Sequence, residues 1–127
     1  MIFFADESIS PRCARVIEEN GDSLVLHCER FQPGTPDTEW IRVAGEAGWT
    51  VVTVDGCIFK TPLERAALED AGVPVVLLPS CFARWGFDEQ LEWLTKRWKR
   101  ISATARNTTD LLVVKVPREG RPTVQRR

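Results

Sequence analysis

Short apolar runs, rich in β-branched residues, alternate along this chain with segments that carry helix start and stop signals. Strands are predicted over residues 2–5, 23–28, 49–54, 73–78 and 111–116, and helices over 8–20, 36–47, 61–71 and 88–105. Parallel neighbouring strands need long crossover connections, which the intervening helices supply. The alternation therefore predicts an α/β fold, with a mainly parallel central sheet flanked by helices on both faces.

A length of 127 residues is suited to one domain with one sheet. We predict that residues 1–116 form this domain and that residues 117–127, which begin with Pro117 and are basic, form a flexible tail. No apolar run is long enough to cross a bilayer, and acidic residues follow the first run at once. No membrane association is expected, and the expected location is the cytoplasm.

The net charge of −1 hides an asymmetry between the two parts of the chain. Residues 1–80 contain 6 Lys/Arg and 13 Asp/Glu, whereas residues 81–127 contain 11 and 5. Such a division suits a protein that binds a metal ion in one region and phosphate in another. A solvated basic helix followed by a basic tail would explain the same numbers.

Cysteine and histidine offer little to a metal site or a redox site. The four cysteines are far apart in the sequence, so no zinc-knuckle or redox pair is formed by spacing. His27 is the only histidine. These counts argue against His-rich zinc sites and against most hydrolases that need a histidine base.

Acidic residues stand where the predicted strands end. Asp6 follows the first strand, Asp55 follows the third, and Asp37 lies in the first turn of the helix after the second. Functional groups in open α/β sheets gather beyond the carboxyl ends of the strands. Clustered carboxylates need a positive partner, and hard oxygen ligands suit Mg²⁺ or Mn²⁺.

Each of these acids also has a purely structural explanation. Asp37 could interact with the positive end of its helix, and Asp55 could belong to a turn with Gly56. Glu64 lies three residues after Thr61, which is the spacing of a capping box. The convergence of several acids on one sheet edge is what favours a site.

Four stretches together resemble the PIN-like domains of bacterial toxin–antitoxin systems, in particular the VapC-related nucleases. They span residues 1 to about 80, and in order along the chain they are Phe3-Phe4-Ala5-Asp6 with Ser10-Pro11, Pro36-Asp37-Thr38-Glu39-Trp40, Val52-Thr53-Val54-Asp55 with Ile58, and Pro62-Leu63-Glu64-Arg65 running to Ala71-Gly72-Val73. The resemblance implies a PIN-like fold, a divalent-metal endoribonuclease that cleaves single-stranded RNA, and a cognate antitoxin as partner.

Carried over residue by residue, the resemblance implies that Asp6, Asp37 and Asp55 bind Mg²⁺ or Mn²⁺. Glu64 would be a fourth catalytic acid or its support, and Thr53 would orient a carboxylate or a water. The chain departs from the family pattern at Glu7 and Ser8, and at Cys57, where many PIN domains place another Asp.

An RNA substrate requires cations for its phosphates. Arg12, Lys60 and Arg65 are predicted near the acidic edge and are the candidates. The denser basic run over 96–100 is expected to be mainly a solvated helix face. Trp93 lies off the apolar stripe of its helix and is expected to be exposed, as a contact for the antitoxin or for a homodimer.

Two other functions remain open from the sequence. A receiver-like phosphoacceptor signalling domain would use Glu7 with Asp6, then Asp55 and Lys115, although it does not account for Asp37. A catalytically inactive PIN-like binding module would explain Cys57.

Overall fold

The computed structural model describes residues 1–127 and contains one six-stranded sheet. The strands are β1 (Ile2–Ala5), β2 (Ser23–Leu26), β3 (Trp49–Thr53), β4 (Val75–Leu77), β5 (Leu111–Lys115) and β6 (Thr123–Arg126). Their order across the sheet is β2-β1-β3-β4-β5-β6, and the first five run parallel. The predicted α/β class, with a mainly parallel central sheet, is confirmed.

Helices connect the parallel strands and cover both faces of the sheet. They are α1 (Pro11–Glu19), α2 (His27–Arg30), α3 (Asp37–Ala47), α4 (Pro62–Ala71) and α5 (Phe87–Arg106), with 3₁₀ turns at Gly56–Phe59 and Ser80–Arg84. The second strand ends at Leu26, earlier than predicted, because the single helical turn α2 follows it directly. No helix combines the length and apolar character that a membrane span requires.

Two apolar cores separate the helices into two layers. One core joins α1 and α5 to one face of the sheet through Phe3 and Trp98, whose ring centroids are 4.8 Å apart in an edge-to-face contact. The other joins α3 and α4 to the opposite face, with Phe4 packed against Trp40 and Trp49. Alternate residues of β1 therefore belong to opposite cores, as the strand period requires.

The C-terminal residues differ from the sequence prediction. Instead of a flexible tail throughout 117–127, the structure has β6, which pairs antiparallel with β5. A return strand satisfies backbone groups that β5 would otherwise leave open as an edge strand. The segment is short, polar and exposed along its whole length, so the sequence carried little strand signal. The domain boundary at residue 116 stays a prediction.

A glycine lets α3 and α4 approach each other closely. A Cβ atom on Gly45 would lie 2.7 Å from the Ala71 Cβ and 2.8 Å from the Ala71 carbonyl oxygen. Gly45 and Ala71 lie near the C-terminal ends of α3 and α4, so this contact joins the helix ends that are opposite to their first turns. Those turns contain Asp37 and Glu64.

We expect Gly45→Ala to lower the free energy of unfolding by about 1–2 kcal/mol, because overpacking against Ala71 outweighs the gain in helix propensity. Chemical denaturation would measure the change. The control is a double-mutant cycle with Ala71→Gly, in which the two changes should be less harmful together than their sum. A more stable Gly45→Ala variant would show that the two helices are not in close contact.

Candidate active site

The strand order places a crevice between β1 and β3. The chain winds outward from β1 to β2 and then crosses back to β3 on the other side of β1. At such a reversal the following loops leave in opposite directions, and ligands of open α/β sheets bind there, beyond the carboxyl ends of the strands. Asp6 comes directly after β1, and Asp55 comes two residues after the end of β3.

Asp6 is held by a hydroxyl network that joins the ends of these two strands. Asp6 is buried, and its carboxylate accepts hydrogen bonds from the Ser8 amide at 3.0 Å, from the Ser8 hydroxyl, and from Thr53 Oγ1 at 2.5 Å. Ser8 Oγ in turn accepts from the Val54 amide at 3.0 Å. Thr53 Oγ1 accepts from the Asp55 amide at 3.0 Å. The orientation of the Asp6 carboxylate is therefore set by β3 as well as by its own loop.

Asp55 is more exposed and caps a turn. Its Oδ1 accepts a hydrogen bond from the Cys57 amide at 3.0 Å, at the start of the 3₁₀ turn. The turn predicted at Asp55-Gly56 is therefore present, and it directs one carboxylate oxygen toward the backbone. The Cys57 residue is exposed.

Asp37 and Glu64 approach from the first turns of α3 and α4. Asp37 Oδ1 accepts a hydrogen bond from Trp40 Nε1 at 2.9 Å. Thr61 makes no side-chain cap on α4, so the capping box with Glu64 is absent. The Thr61 hydroxyl donates instead to the Cys57 carbonyl at 3.3 Å. The Glu64 side chain interacts with the side chains of Thr61 and Asp37 and with the charges of Asp37 and Asp55.

The electrostatics show that these four acids share one environment. Burial raises the pKa of Asp6 above its ordinary value, and the charge of Asp37 raises it further, against the hydrogen bonds from Ser8 and Thr53. The pKa of Glu64 is raised by burial first and then by the charges of Asp37 and Asp55. None of the six ion pairs in the structure involves any of the four. Their mutual repulsion is therefore uncompensated by a protein cation.

The donor atoms suit a hard divalent cation, but their arrangement is not a finished metal cage. No three His, Cys, Asp or Glu side chains come together as a ready metal-binding group. The reason is visible in the hydrogen bonds, since Asp6 is turned toward hydroxyls, Asp37 toward Trp40 and Asp55 toward the Cys57 amide. Asp55 and Glu64 are accessible enough to turn toward a cation.

The predicted phosphate contacts lie on two sides of the acids. Lys60 and Arg65 line a groove of about 400 Å³ that includes Gly56, next to Asp55, and extends to Lys115. Arg65 is also 3.2 Å from Glu69 in an exposed pair. Arg12 lies on α1, with its guanidinium carbon 4.3 Å from the Phe87 ring centroid.

A cavity of about 650 Å³ shares no residue with the acids and is lined by the basic run of α5 together with the segment after β5. Two members of the run have intrahelical partners, because Lys96 pairs with Glu92 at 2.8 Å and Arg97 lies over Trp93. Trp93 itself is buried, and its indole nitrogen donates to the Arg118 carbonyl at 2.9 Å. The expectation of an exposed Trp93 is wrong, because the segment after β5 covers it.

Sequence reasoning missed two residues near the acids. Ser8 was treated as a departure from a family pattern, yet it holds Asp6 and the β3 end together. The two-residue spacing from an Asp to a Ser is typical of a side-chain-to-backbone turn and could have indicated the contact between Asp6 and Ser8. His27 is the other, since it is buried next to Glu7 with no hydrogen bond to Nε2.

The family model described as a PIN like domain matches residues 1–80 of the chain. No curated protein and no solved structure gives a significant match to the chain. The matched residues contain Asp6, Asp37, Asp55 and Glu64, together with β1 to β4.

The raised pKa of Glu64 leads to a stability prediction. An acid whose pKa is higher in the folded state weakens folding at neutral pH, and the penalty disappears as pH falls below the pKa of the unfolded chain. We expect Glu64→Gln to raise the melting temperature by roughly 1–3 °C at pH 7.5. Thermal unfolding at pH 7.5 and at pH 3.5 would measure this, with no gain at the lower pH.

Glu39→Gln is the matched control, because Glu39 occupies the same third position of α3 and is exposed. Both substitutions lose the same favourable interaction with a helix N-terminus. Equal melting temperatures for the two variants at pH 7.5 would mean that Glu64 does not experience the charges of Asp37 and Asp55.

Proposed function

The chain belongs to the family of PIN-like domains, a nuclease-type fold, and from that premise we propose that it is a metal-dependent endoribonuclease. The proposed substrate is single-stranded RNA, and the proposed biological role is the toxin of a VapC-related toxin–antitoxin pair. The observation that carries the enzymatic proposal is the group of four carboxylates at the reversal of strand order. They repel one another and have no protein cation to balance them.

Asp6, Asp37 and Asp55 are the proposed ligands of Mg²⁺ or Mn²⁺, with Glu64 as a fourth acid. A divalent ion relieves carboxylate repulsion, and when bound near a phosphodiester it can activate a water and neutralise developing negative charge. Thr53 is the proposed orienting residue, which is supported by its hydrogen bonds to Asp6 and to the Asp55 amide.

The rest of the machinery would bind and position RNA. Arg12, Lys60 and Arg65 are proposed to contact phosphates on either side of the scissile bond, since they flank the acids without forming ion pairs with them. The exposed position of Lys115 in the same groove as Lys60 suits it to the same task. Cations close to an acidic centre can bind the RNA phosphates while the carboxylates remain free to bind the metal ion.

The first test is cleavage of single-stranded RNA by the purified protein with Mn²⁺ or Mg²⁺, against EDTA. Cutting should require the metal and be lost in Asp6→Asn and in Asp55→Asn, because each removes a charged ligand. Thr53→Val should reduce the rate about 10–100-fold by freeing the Asp6 carboxylate. Thr53→Ser, which keeps the hydroxyl, should cut nearly as well as the native chain.

Glu39→Gln again serves as the control, since it removes an acid of the same helix as Asp37 without touching the four carboxylates. Cutting that survives EDTA, or that persists in both Asp variants, would refute the proposal. Metal binding itself can be followed separately, because Mn²⁺ should raise the melting temperature of the native chain more than that of Glu64→Gln.

The toxin role predicts that induced expression arrests bacterial growth. The Asp6→Asn variant, produced at the same level, should not arrest growth, because arrest would depend on RNA cleavage in the cytoplasm. Growth curves with matched protein levels would measure this. A cognate antitoxin is a proposed partner on the family resemblance, and a homodimer is a second proposed partner. Equal arrest by the native chain and Asp6→Asn would separate toxicity from nuclease activity.

The receiver-like alternative has two observations in its favour. The order β2-β1-β3-β4-β5 is that of flavodoxin-like folds, and Lys115 ends β5 as such a domain requires. It leaves Asp37 and Glu64 without a role. Labelling of Asp55 by acetyl phosphate would support it, whereas a chain that binds no divalent metal would favour the inactive binding module.

A further inference from the structure

A second cavity adjoins Asp6 on the side away from the basic groove. Its volume is about 360 Å³, which is within the range of small-molecule sites. The walls come from the end of β1, the loop between β1 and α1, α2 and the loop before α3, and they include Asp6, Glu7, His27, Phe31, Gln32 and Pro33. Because Asp6 belongs both to this cavity and to the acidic cluster, a molecule in the cavity would touch the proposed cleavage site.

His27 is the unusual group in this wall. It is 96% buried, and its Nε2 atom has no hydrogen-bond partner. The nearest acceptor, Glu7 Oε1, is 3.3 Å away but does not form a hydrogen bond in the required geometry. Buried polar atoms are normally satisfied, and an exception needs an explanation. A ligand that lies between His27 and the half-exposed Glu7 side chain would supply one.

The chemistry of the walls selects the kind of ligand. No Lys or Arg lines the cavity, whereas two carboxylates do, so a phosphate would be repelled. Phe31 provides an aromatic surface beside the His27 ring, at a centroid distance of 5.5 Å. Gln32 adds an amide that both donates and accepts. A flat, neutral molecule with N–H groups along one edge meets these conditions, which describes a nucleobase.

We propose that this cavity binds the base next to the scissile phosphodiester, with guanine preferred. Guanine presents two adjacent N–H donors, at N1 and N2, which one carboxylate such as Glu7 can accept together. His27 Nε2 and the Gln32 amide would make the remaining polar contacts, with Phe31 as an apolar wall. The inference rests on the proposed ribonuclease function and adds a base preference to it.

The first experiment measures nucleoside binding by the metal-free protein, without any cleavage. Guanosine, adenosine, cytidine and uridine are titrated while the NMR signals of the His27 ring and the Gln32 amide are followed. Guanosine should bind best and should shift both sets of signals. Glu7→Gln should weaken guanosine binding roughly tenfold, since a charge-assisted hydrogen bond is lost. Glu39→Gln should bind like the native chain.

Substitution of the buried His27 carries a risk of unfolding, so Glu7→Gln and Gln32→Ala, both at exposed positions, provide the decisive comparison. His27→Gln, which keeps an amide near the position of Nε2, is a supporting variant. Equal affinity for all four nucleosides, or guanosine binding unchanged in both Glu7→Gln and Gln32→Ala, would overturn the proposal.

The second experiment maps cut sites in an RNA pool of random sequence. Cutting should be enriched beside guanine for the native chain, and Glu7→Gln should cut with the same metal dependence but lose this enrichment. Asp55→Asn separates the two proposals, because it should retain guanosine binding while cutting no RNA. Cutting without enrichment would overturn the base pocket alone, and guanosine binding without cutting by the native chain would overturn the ribonuclease alone.

Discussion

The hydrogen bond between Thr53 and Asp6 is the interaction on which the rest of the candidate site depends. Burying a carboxylate is costly unless donors compensate it, and Asp6 finds those donors in the Ser8 hydroxyl of its own loop and the Thr53 hydroxyl of β3. Because Thr53 is the last residue of β3, the acid after β1 is fixed relative to the acid after β3. The parallel pairing of β1 with β3 therefore determines the distance between Asp6 and Asp55.

The other two acids depend on helix packing rather than on strand pairing. Asp37 and Glu64 stand in the first turns of α3 and α4, which pack against each other, while Gly45 permits close contact at their C-terminal ends. The partial positive charge at each helix start offsets part of the repulsion between the acids. What remains shows in the raised pKa of Glu64. The remaining repulsion lowers the free energy of unfolding, and a bound cation would raise it again.

Features that depend on local pattern could be predicted, and features that depend on distant partners could not. Ser10 and Pro11 predicted the start of α1, and Ser10 Oγ accepts from the Cys13 amide as expected of a cap. The β-branched run over 49–54 predicted a buried strand. By contrast, the role of Ser8 requires the Val54 amide, 46 residues away, and the burial of Trp93 requires Arg118. The spacing of apolar residues along the chain carries no information about hydrogen bonds between residues that are far apart in the sequence.

The carboxyl edge of the sheet has a graded chemistry from one side to the other. The groove with Lys60, Arg65 and Lys115 runs between α4 and strands β4 to β6 and reaches this edge at Lys115, whereas the acid-rimmed cavity with His27 lies beyond β1 and β2. A single RNA strand has parts that complement both surfaces, since its phosphates are anionic and its bases are flat and uncharged. A strand laid across this edge would therefore find cations for its backbone on one side and an uncharged aromatic wall for a base on the other. The acids lie between the groove and the cavity, so an RNA backbone that runs from one to the other would pass Asp6 and Asp55.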